Sequence, residues 1–280
     1  MLFNCFETLL DLAIKEDLGE LGDATSMAIF GDEIVMAELR SKDEGILAGI
    51  DLFLETFRRR GESVEAVKLM TDGDRLSPGS VAAKVKGPAV SVLSLERTAL
   101  NFISYLSGIA TISSIYANEA AKYGNTVILD TRKTLPGFRE AAKYAVKIGG
   151  ASNHRMGLYD MVMIKDNHID AAGSIAKAVA KVKDKWKDNL KIEVECRNIR
   201  EVNEAVSCGV QYIMLDNMDP ETIKKALQLR KDGIKFEISG NMTLEKLKDY
   251  AGLGADFISV GSLTHSVKTF DFSFVIAKQI

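Results

Sequence analysis

The sequence predicts an α/β protein in which a small α/β unit precedes a closed or partly closed α/β barrel. Short apolar runs recur through the second half of the chain, and helical patterns lie between most of them. This alternation is typical of a parallel sheet with right-handed crossovers. An open doubly wound sheet is the alternative. It is weakened because no Gly-x-Gly-x-x-Gly follows a first strand and no Gly-Lys-Ser/Thr loop occurs.

The first unit is predicted from short periodic segments that end at turn residues. Apolar spacing predicts helices over 4–18, 51–60 and 94–122, the last with a bend near Ser107 and Gly108. Strands are predicted over 34–40 and 46–48, and as several short segments within 64–93. Asp-Gly, Pro-Gly and Gly-Pro pairs interrupt that last stretch, so its strands should be brief.

The barrel is predicted from strands and helices that alternate. The strands are expected over 126–130, 161–164, 191–195, 212–216, 235–239 and 257–261. The helices are expected over 173–187, 198–207, 220–231 and 243–251. Ligands of parallel α/β proteins bind at the carboxyl ends of the strands, so the residues at those ends are the candidates for function.

Each predicted barrel strand ends in polar residues or glycine. The residues at these ends include Asp130, Lys165, Glu195, Asp216, Ser239 and Gly261. Side chains alternate along a strand, so Glu193 and Glu195 share one face of KIEVE while Ile192 and Val194 share the other. Carboxylates that face a barrel interior need a cation or a metal as partner. Solvated strand ends would explain one or two of these residues, but not carboxylates on consecutive strands.

A dense cationic segment lies between the first two barrel strands. Arg132, Lys133, His154 and Arg155 stand beside turns and glycines, where binding groups concentrate. Lys143 and Lys147 are interpreted as ordinary solvated helix residues. Guanidinium groups match carboxylates and phosphates, so this cluster predicts a small polyanionic ligand. The inward carboxylates beside it indicate a divalent metal or sugar hydroxyls.

Two strand-end turns suit phosphate. Ser239, Gly240 and Asn241 lie between a strand and a helix that starts near Thr243, and Gly261 follows the next strand. Glycine lets the backbone approach an anion closely, and helix amino ends favour negative charge. His265 is interpreted as a structural residue rather than a catalyst.

Bulk properties exclude several classes of protein. The net charge of −3 gives no general attraction to nucleic acid, and no uninterrupted apolar run approaches the ~20 residues of a membrane span. The three cysteines lie far apart without a Cys-x-x-Cys pair, so disulfides and a zinc cage are not expected. Because the amino terminus carries acidic residues early and has no basic leader, a cytoplasmic protein is predicted.

Several stretches together resemble the quinolinate phosphoribosyltransferase family, and the resemblance extends over nearly the whole chain. They are KEDLGELGDATS (15–26), ERTALNFISYLSGIAT (96–111), DTRKTLPGFR (130–139), KYAVKIGGASNHRMGLYDMVMIKDNHI (143–169), EVE (193–195), LDN (215–217), EISGN (237–241) and DFISVGSLTHS (256–266). The resemblance implies an N-terminal α/β sandwich domain over 1–105 and an incomplete, open α/β barrel over 106–280, with residues 267–280 packing back on the sandwich. It also implies a homodimer or higher assembly with shared active sites.

The activity implied by the resemblance is a step of NAD biosynthesis. Quinolinate and phosphoribosyl pyrophosphate would give nicotinate mononucleotide, pyrophosphate and CO₂, with Mg²⁺ required. Glu195 and Asp216 would hold Mg²⁺ and the ribose hydroxyls, while Ser239, Gly240, Asn241 and Gly261 would cradle the phosphate. The residues that should line the quinolinate pocket are Arg132, Lys133, His154, Arg155 and Lys165, with Arg97 reaching in from the partner chain. Lys133 or His154 would protonate the carbanion left by decarboxylation.

Three other interpretations remain open. Residues 71–90 faintly resemble the turn-rich sheet of a lipoyl or biotinyl carrier domain. A phosphoribosyltransferase for nicotinate itself is a second alternative, although the number of cations favours an acid with two carboxylates. The molybdenum-transport-associated homologues of the family are a third.

Overall fold

The structure is a computed structural model that describes residues 4–187 and 189–279. The elements of the amino-terminal part are α1 (Phe6–Leu18), α2 (Ala24–Ile29), β1 (Ile34–Ser41), β2 (Gly45–Ile46), α3 (Ile50–Arg60), β3 (Glu65–Lys68), β4 (Arg75–Leu76), β5 (Val81–Pro88) and α4 (Ala89–Ala121). The remaining elements are β6 (Val127–Leu129), α5 (Arg139–Ile148), β7 (Val162–Ile164), α6 (Asp166–Ala172), α7 (Ile175–Trp186), β8 (Ile192–Cys196), α8 (Ile199–Ser207), β9 (Tyr212–Asp216), α9 (Pro220–Leu227), β10 (Lys235–Ser239), α10 (Leu244–Tyr250), β11 (Phe257–Ser259), α11 (Ser262–His265) and β12 (Phe272–Gln279).

The chain divides into two compact units. The first comprises the residues up to Ser114, Thr134–Gly150 and the residues from Ser266 onward, and the second comprises Ile115–Lys133 and Ala151–His265. The sequence-based boundary between 105 and 106 therefore differs from the observed division. Segment 134–150, which had been assigned to the barrel, belongs to the first unit, and so does the end of the chain, which the resemblance implied would pack back on the sandwich. The sequence gives no turn signal at the observed boundary after Ser114, because α4 is continuous across that position.

The first unit contains a four-stranded antiparallel sheet in the order β12–β1–β5–β3. Strand β12 pairs with β1 along most of its length, so residues near the end of the chain complete this sheet. The buried core includes Leu39, Phe53, Phe57 and Val85, which have almost no exposed surface. Phe53 and Phe57 meet edge to face with their ring centroids 5.2 Å apart, an arrangement that aromatic pairs favour. A short two-stranded sheet, β2–β4, completes the unit.

Helix α4 differs from its prediction at its start. It begins at Ala89, directly after Pro88, so the end of the predicted strand region 64–93 is helical. It is unbroken through Ser107 and Gly108. A side chain at Gly108 would collide with the Lys268 carbonyl oxygen and would lie 3.0 Å from Val267 Cγ1. Glycine at 108 therefore allows the close approach of this other segment of the first unit.

Helix α4 is also long and apolar enough, by length and composition, to cross a membrane. Its most apolar window is 61% buried within the protein, as in the core helix of a soluble protein. The helix is therefore weak evidence for a membrane span.

The second unit is an open, six-stranded parallel sheet with helices between its strands, in the order β6–β11–β10–β9–β8–β7. No pairing joins β6 to β7 among the described residues, which agrees with an incomplete barrel. The predicted strands all occur. The predicted helix over 173–187 is confirmed as α7, which Ser174 caps; a separate short helix, α6, precedes it and ends at Gly173, which has a left-handed φ of 89°. In the first unit, Lys143 on α5 also differs from its prediction. It was expected to be a solvated helix residue, but it is fully buried.

Side-chain caps start the helices that follow several barrel strands. Asn198 accepts hydrogen bonds from the N–H groups of Arg200 and Glu201 at the start of α8, and Asp219 caps α9, whose first residue is Pro220. Thr243 caps α10 in the same way. These caps fix where each strand-end turn stops, and the turns carry the candidate site.

Candidate functional site

The carboxyl ends of the six parallel strands lie along one edge of the second unit. In the order of the sheet, the residues at or just beyond these ends are Lys133, Gly261, Ser239, Asp216, Glu195 and Lys165. Asp216 pairs directly with Ser239 across β9 and β10, and Glu195 pairs with Met214 across β8 and β9. Residues far apart in sequence are thus brought into one row by the register of the sheet.

A cavity of about 450 Å³ opens at this row. Its lining contains six residues predicted for the site, namely Lys133, Asp216, Ser239, Gly240, Asn241 and Gly261. It also contains Tyr116, Thr131, Asn217, Ser262 and His265, which the sequence analysis did not place in the site. His265 had been interpreted as structural, yet its exposed side chain lines the cavity. The cavity is therefore lined by acidic, hydroxyl, amide and backbone groups together with one lysine and one histidine.

The turn after β10 has an unusual backbone. Gly240 has a φ of 125°, and Asn241 and the facing Asn217 have left-handed φ values of 39° and 52°. A Cβ atom on Gly240 would overlap Asn217, whose Cγ and Cα atoms would lie 2.8 and 3.0 Å away. Asn217 in turn donates a 2.8 Å hydrogen bond from Nδ2 to Asp216 Oδ2. Strained backbone of this kind collects at ligand sites, and here it lies in the lining of the cavity.

Lys133 is held beside the neighbouring turn by two contacts of its backbone. Its N–H donates to Thr131 Oγ1 at 3.1 Å, and its carbonyl accepts from Thr264 Oγ1 at 2.9 Å. A Cβ atom on Gly261 would lie 3.0 Å from His265 Nε2 and 3.4 Å from Lys133 Cδ. Glycine at 261 therefore leaves room for both side chains at the cavity.

Lys165 and Glu195 form an ion pair between the ends of β7 and β8, joining Nζ to Oε2. The glutamate side chain is 14% exposed and the lysine side chain 43% exposed, so the pair is only partly screened by water. The Lys165 N–H donates to His168 Nδ1 at 3.0 Å, which closes the first turn of α6. Among the predicted metal ligands, Glu195 thus already has a cationic partner and Asp216 faces the cavity.

His154 lies in a buried cluster with two glutamates. Its Nε2 lies 3.0 Å from Glu193 Oε2 and 3.4 Å from Glu237 Oε2, and all three side chains are almost inaccessible to water. Its backbone N–H donates to Asp130 Oδ1 at 2.9 Å. Burial lowers the pKa of His154, but the two carboxylates outweigh burial and raise it. Burial and the neighbouring Glu237 raise the pKa of Glu193.

Arg155 follows His154 and lies near Arg132. Burial lowers the pKa of Arg155, and the positive charge of Arg132 lowers it further. Arg155 Nη1 donates to the Met161 carbonyl at 3.0 Å, directly before the start of β7. Two guanidinium groups that repel each other are best stabilised by an anion bound to both. The pair is therefore a candidate anion site.

Arg97 is the predicted site residue that the second unit does not contain. It lies on α4 in the first unit and lines a cavity of about 660 Å³ together with Glu16, Asn101, Tyr105 and Asp271. Its predicted role is to reach the site of a partner chain, which a single chain does not test.

Cys196, which adjoins Glu195, is fully buried, and burial raises the pKa of its thiol, so it is an inert packing residue.

Glu193 and Glu237 were predicted to face the barrel interior, but they were not predicted as part of the site. The alternation within KIEVE and KFEIS contained the signal, since both residues share a face with strand-end residues of the site. Asn217 was visible as a strand-end residue. Tyr116 and His265 had no distinguishing pattern in the sequence.

Comparison with known proteins gives two matches to sequence models of protein domains. Residues 23–107 match the N-terminal domain of quinolinate phosphoribosyl transferase, and residues 109–275 match its C-terminal domain. Among curated relatives, a probable nicotinate-nucleotide pyrophosphorylase [carboxylating] of Bacillus subtilis is 45% identical over 95% of this chain and 91% of its own length. A chloroplastic nicotinate-nucleotide pyrophosphorylase [carboxylating] of Arabidopsis thaliana is 40% identical over 98% of this chain and 83% of its own length.

The solved structures that resemble this chain agree with these sequence matches. NadC from Streptococcus pyogenes superposes with a TM-score of 0.92 and 38% identity, over 96% of this chain and 95% of that one. Nicotinate-nucleotide pyrophosphorylase from Ehrlichia chaffeensis superposes with a TM-score of 0.93 and 35% identity, over 98% and 99% of the two chains.

Proposed function

The chain belongs to the quinolinate phosphoribosyltransferase family, and on that premise we propose that the row of strand ends in its second unit is the active site. The enzyme converts quinolinate and phosphoribosyl pyrophosphate into nicotinate mononucleotide, pyrophosphate and CO₂ in NAD biosynthesis. One observation carries the placement of the site. A cavity with exposed backbone and a carboxylate at Asp216 lies on the same strand row as the cationic residues Lys133 and Lys165.

The turns after β10 and β11 are proposed to bind the phosphate of phosphoribosyl pyrophosphate. Ser239, Gly240, Asn241 and Gly261 all line the cavity, and the two glycines let Asn217, His265 and Lys133 lie close to the backbone there. Asp216 lies directly beside Ser239 in the sheet. We place the ribose hydroxyls against Asp216 and Glu195, whose carboxylates accept hydrogen bonds from them.

Quinolinate is proposed to bind at the cationic residues. Arg132 and Arg155 lie close enough for their charges to interact, and a bound carboxylate would offset the repulsion between the two guanidinium groups. Lys133 and Lys165 at the two ends of the strand row supply further positive charge. The pattern suits two carboxylates better than one, which separates this substrate from nicotinate.

The donor set at the site fits Mg²⁺. Asp216 and Glu195 offer carboxylate oxygens from adjacent strands, and oxygen ligands are those that Mg²⁺ prefers. When bound there with phosphoribosyl pyrophosphate, Mg²⁺ would neutralise charge on the departing pyrophosphate. Glu195 shares an oxygen with Lys165, so we assign Asp216 the larger part in holding the ion.

The reaction then follows from positioning and charge. The pyridine nitrogen attacks the anomeric carbon, the bond from that carbon to the pyrophosphate oxygen breaks, and Asp216 and Glu195 stabilise the cation-like sugar. In the second step the bond to the 2-carboxylate breaks and CO₂ leaves. The electron pair stays on the ring carbon, where the positive ring nitrogen stabilises it, until that carbon takes a proton from the protein.

We further propose a homodimer that shares its sites and works in the cytoplasm. Support for the dimer comes from exposed apolar side chains, Leu12 and Leu135, which line the same cavity as Arg97. Support for the location comes from Cys5, Cys196 and Cys208, which are all free thiols. Mixing Arg97→Ala and Arg132→Ala subunits should restore part of the activity, because hybrid dimers would keep one intact site. If the mixture stays inactive, the sites are not shared.

The direct test of the function is release of CO₂ from quinolinate labelled in its 2-carboxylate. We expect release that depends on phosphoribosyl pyrophosphate and on Mg²⁺, with nicotinate mononucleotide formed in equal amount. Nicotinate should not replace quinolinate. Turnover of nicotinate at a similar rate, or no CO₂ from quinolinate, would contradict the proposal.

A further inference from the structure

The segment between Arg155 and β7 is held by the carboxylate of Asp160. Its Oδ2 accepts the Met156 N–H at 2.7 Å, and its Oδ1 accepts the Gly157 N–H at 2.9 Å. These two N–H groups directly follow Arg155 in the chain. Residues 156–161 contain no helix or strand, so no regular hydrogen-bond ladder fixes their backbone. The Asp160 side chain supplies the acceptors that such a ladder would provide.

The Arg155 side chain crosses the same segment in the opposite direction. Its Nη1 donates to the carbonyl of Met161, the residue that follows Asp160, and its Nη2 lies 3.7 Å from Met163 Sδ. The carboxylate at the end of the segment thus holds the backbone at its start, while the guanidinium from the start holds the backbone at the end. The direction of the Arg155 side chain and the backbone of 156–161 therefore depend on each other.

The segment does not owe its conformation to buried apolar side chains. Leu158 and Tyr159 are 71% and 73% exposed. Only Gly157 is buried, and a Cβ atom there would lie 2.5 Å from Tyr159 Cε1 and 2.8 Å from Tyr159 Cδ1. Glycine at 157 lets the segment fold tightly, and the hydrogen bonds to Asp160 are the contacts that hold this tight fold.

The charge of Asp160 acts against the binding of an anion. Burial raises the pKa of Asp160, but the N–H groups that it accepts and the positive charge of Arg155 outweigh burial and lower it. The carboxyl group is therefore ionised at neutral pH. A negative charge beside the candidate anion site repels a dicarboxylate. Asp160 can favour quinolinate only through its hydrogen bonds, so its two effects have opposite signs.

We propose that Asp160 is a positioning residue for quinolinate, which it does not touch: by holding the Met156 and Gly157 N–H groups, it fixes the Arg155 guanidinium at the candidate anion site. The inference rests on the proposed function. Without these hydrogen bonds the exposed segment would sample many conformations. Binding of quinolinate would then have to order it again, which lowers the affinity.

Asp160→Asn and Asp160→Ala test the hydrogen bonds. The two N–H groups donate to different oxygens, and asparagine has only one, so its Nδ2 would face one of the N–H groups. We expect the KM for quinolinate to rise about fivefold in the Asn variant and about tenfold in the Ala variant. The KM for phosphoribosyl pyrophosphate and the Tm should stay close to wild type. Both variants lose a negative charge, so the expected rise is opposite to the electrostatic effect.

Asp219→Asn is the matched control. Asp219 also accepts two backbone N–H groups, those of Glu221 and Thr222 at 3.0 Å, but both donate to Oδ1. Asparagine keeps that single oxygen and is a good helix cap. The KM for quinolinate should therefore stay within about twofold of wild type. An equal rise in Asp219→Asn and Asp160→Asn would overturn the proposal, since the number of oxygens would then not matter.

The kinetics of Asp160→Ala also separate the proposal from simpler roles. A fall in the KM for quinolinate would show that Asp160 acts only through its charge. A rise in the KM values of both substrates together with a lower Tm would show a general structural role. An unchanged KM would show no role at all, and each of these results would overturn the proposal.

Two readouts that do not need turnover distinguish this inference from the proposed function. The Met156 and Gly157 amides should exchange hydrogen more slowly in wild type than in Asp160→Ala, and calorimetry should show weaker quinolinate binding in that variant. If wild-type protein bound quinolinate but released no CO₂, the proposed function would fail while these measurements still supported the inference. Equal exchange in the two proteins would overturn the inference even in an active enzyme.

Discussion

The two halves of the strand row recognise their ligands by different means. The donor half, formed by Asp216, Ser239, Gly240, Asn241 and Gly261, presents backbone groups and one carboxylate to an open cavity. The acid half presents the side-chain charges of Arg132, Lys133, Arg155 and Lys165, and His154, which precedes Arg155, is buried against Glu193 and Glu237. Lys133 lines the cavity as well, so the two halves meet at this residue.

The difference follows from the ligands. A phosphate can be held by backbone N–H groups, provided that no Cβ atom fills the space, and this requirement selects conformations such as the φ of 125° at Gly240. A ring with two carboxylates needs separated positive charges in fixed directions, which only long side chains supply. Substitutions that add atoms should therefore weaken ligand binding in the donor half, and substitutions that remove charge should weaken it in the acid half.

Gly240→Ala gives the largest expected effect. The new Cβ overlaps Asn217, which is tied to Asp216, and alanine strains a backbone with a φ of 125°. We expect the KM for phosphoribosyl pyrophosphate to rise about 100-fold, equal to about 2.7 kcal/mol, with a smaller change for quinolinate. Initial rates over a range of both substrates would measure this.

Gly233→Ala is the matched control for that substitution. Gly233 also has a positive φ, 82°, but a Cβ atom there meets nothing within 4 Å. Its kinetics should equal those of wild type. If Gly240→Ala changed the KM for phosphoribosyl pyrophosphate by less than about threefold, the donor half would not be built from backbone.

Arg132→Ala tests the acid half. It removes one of the two adjacent guanidinium groups and with it a charge-assisted contact to a carboxylate. The expected cost is about 1.5–3 kcal/mol, or roughly 10- to 100-fold in kcat/KM for quinolinate. The KM for phosphoribosyl pyrophosphate should stay near its wild-type value. Arg132→Lys should recover part of the loss. Equal losses for both substrates would contradict the separation of the halves.

Lys165→Gln sharpens the comparison, because Lys165 binds Glu195 and so couples the acid half to the carboxylates beside the donor half. We expect the KM for quinolinate to rise about five- to tenfold. The Mg²⁺ concentration for half-maximal rate should fall by about threefold, since Glu195 is freed from its cation. Titration of Mg²⁺ at saturating substrates measures the second effect. An unchanged Mg²⁺ requirement would show that Glu195 does not contribute to the metal site.

The donor half was more visible in the sequence than the rest of the site. Gly240 and Gly261 follow apolar runs, and glycine at a strand end has a direct physical meaning. The parallel order of the strands then predicted that Asp216 and Ser239 would lie together, as they do across β9 and β10. The charge of the acid half was also evident, from the density of Arg and Lys between two strands.

Details that depend on long-range packing could not be predicted. Lys143 resembled a solvated helix residue in its local pattern, yet it is fully buried. Segment 134–150 belongs to the first unit through contacts such as that of Gly149 with Ala110 and Ser113. Such contacts produce no periodic pattern in the sequence. The enclosure of His154 by Glu193 and Glu237 joins three distant segments, and alternation alone predicts that a carboxylate faces inward but not what it faces.

The smallest effect is expected at the opposite end of the same strands. Asp256, just before β11, binds Lys235 Nζ at 2.8 Å, Arg230 Nη2 at 3.1 Å and the Phe236 N–H at 2.9 Å. Burial raises its pKa, but these partners outweigh burial and lower it below 3.8. A carboxyl group with a lowered pKa stabilises the fold above its unfolded pKa, and this contribution is lost as the pH falls through the folded value.

Asp256→Asn should therefore lower the free energy of unfolding at pH 7 by about 0.5–1 kcal/mol, a modest value because Lys235 and Arg230 are largely solvated. Urea denaturation at pH 7 and pH 4 would measure it, and the difference from wild type should narrow at the lower pH. Both KM values should be unchanged, since residues at the amino ends of barrel strands contribute to stability and not to ligand binding. A change in either KM of the Asp256→Asn variant would mean that substrate binding at the carboxyl ends of the strands depends on contacts at their amino ends.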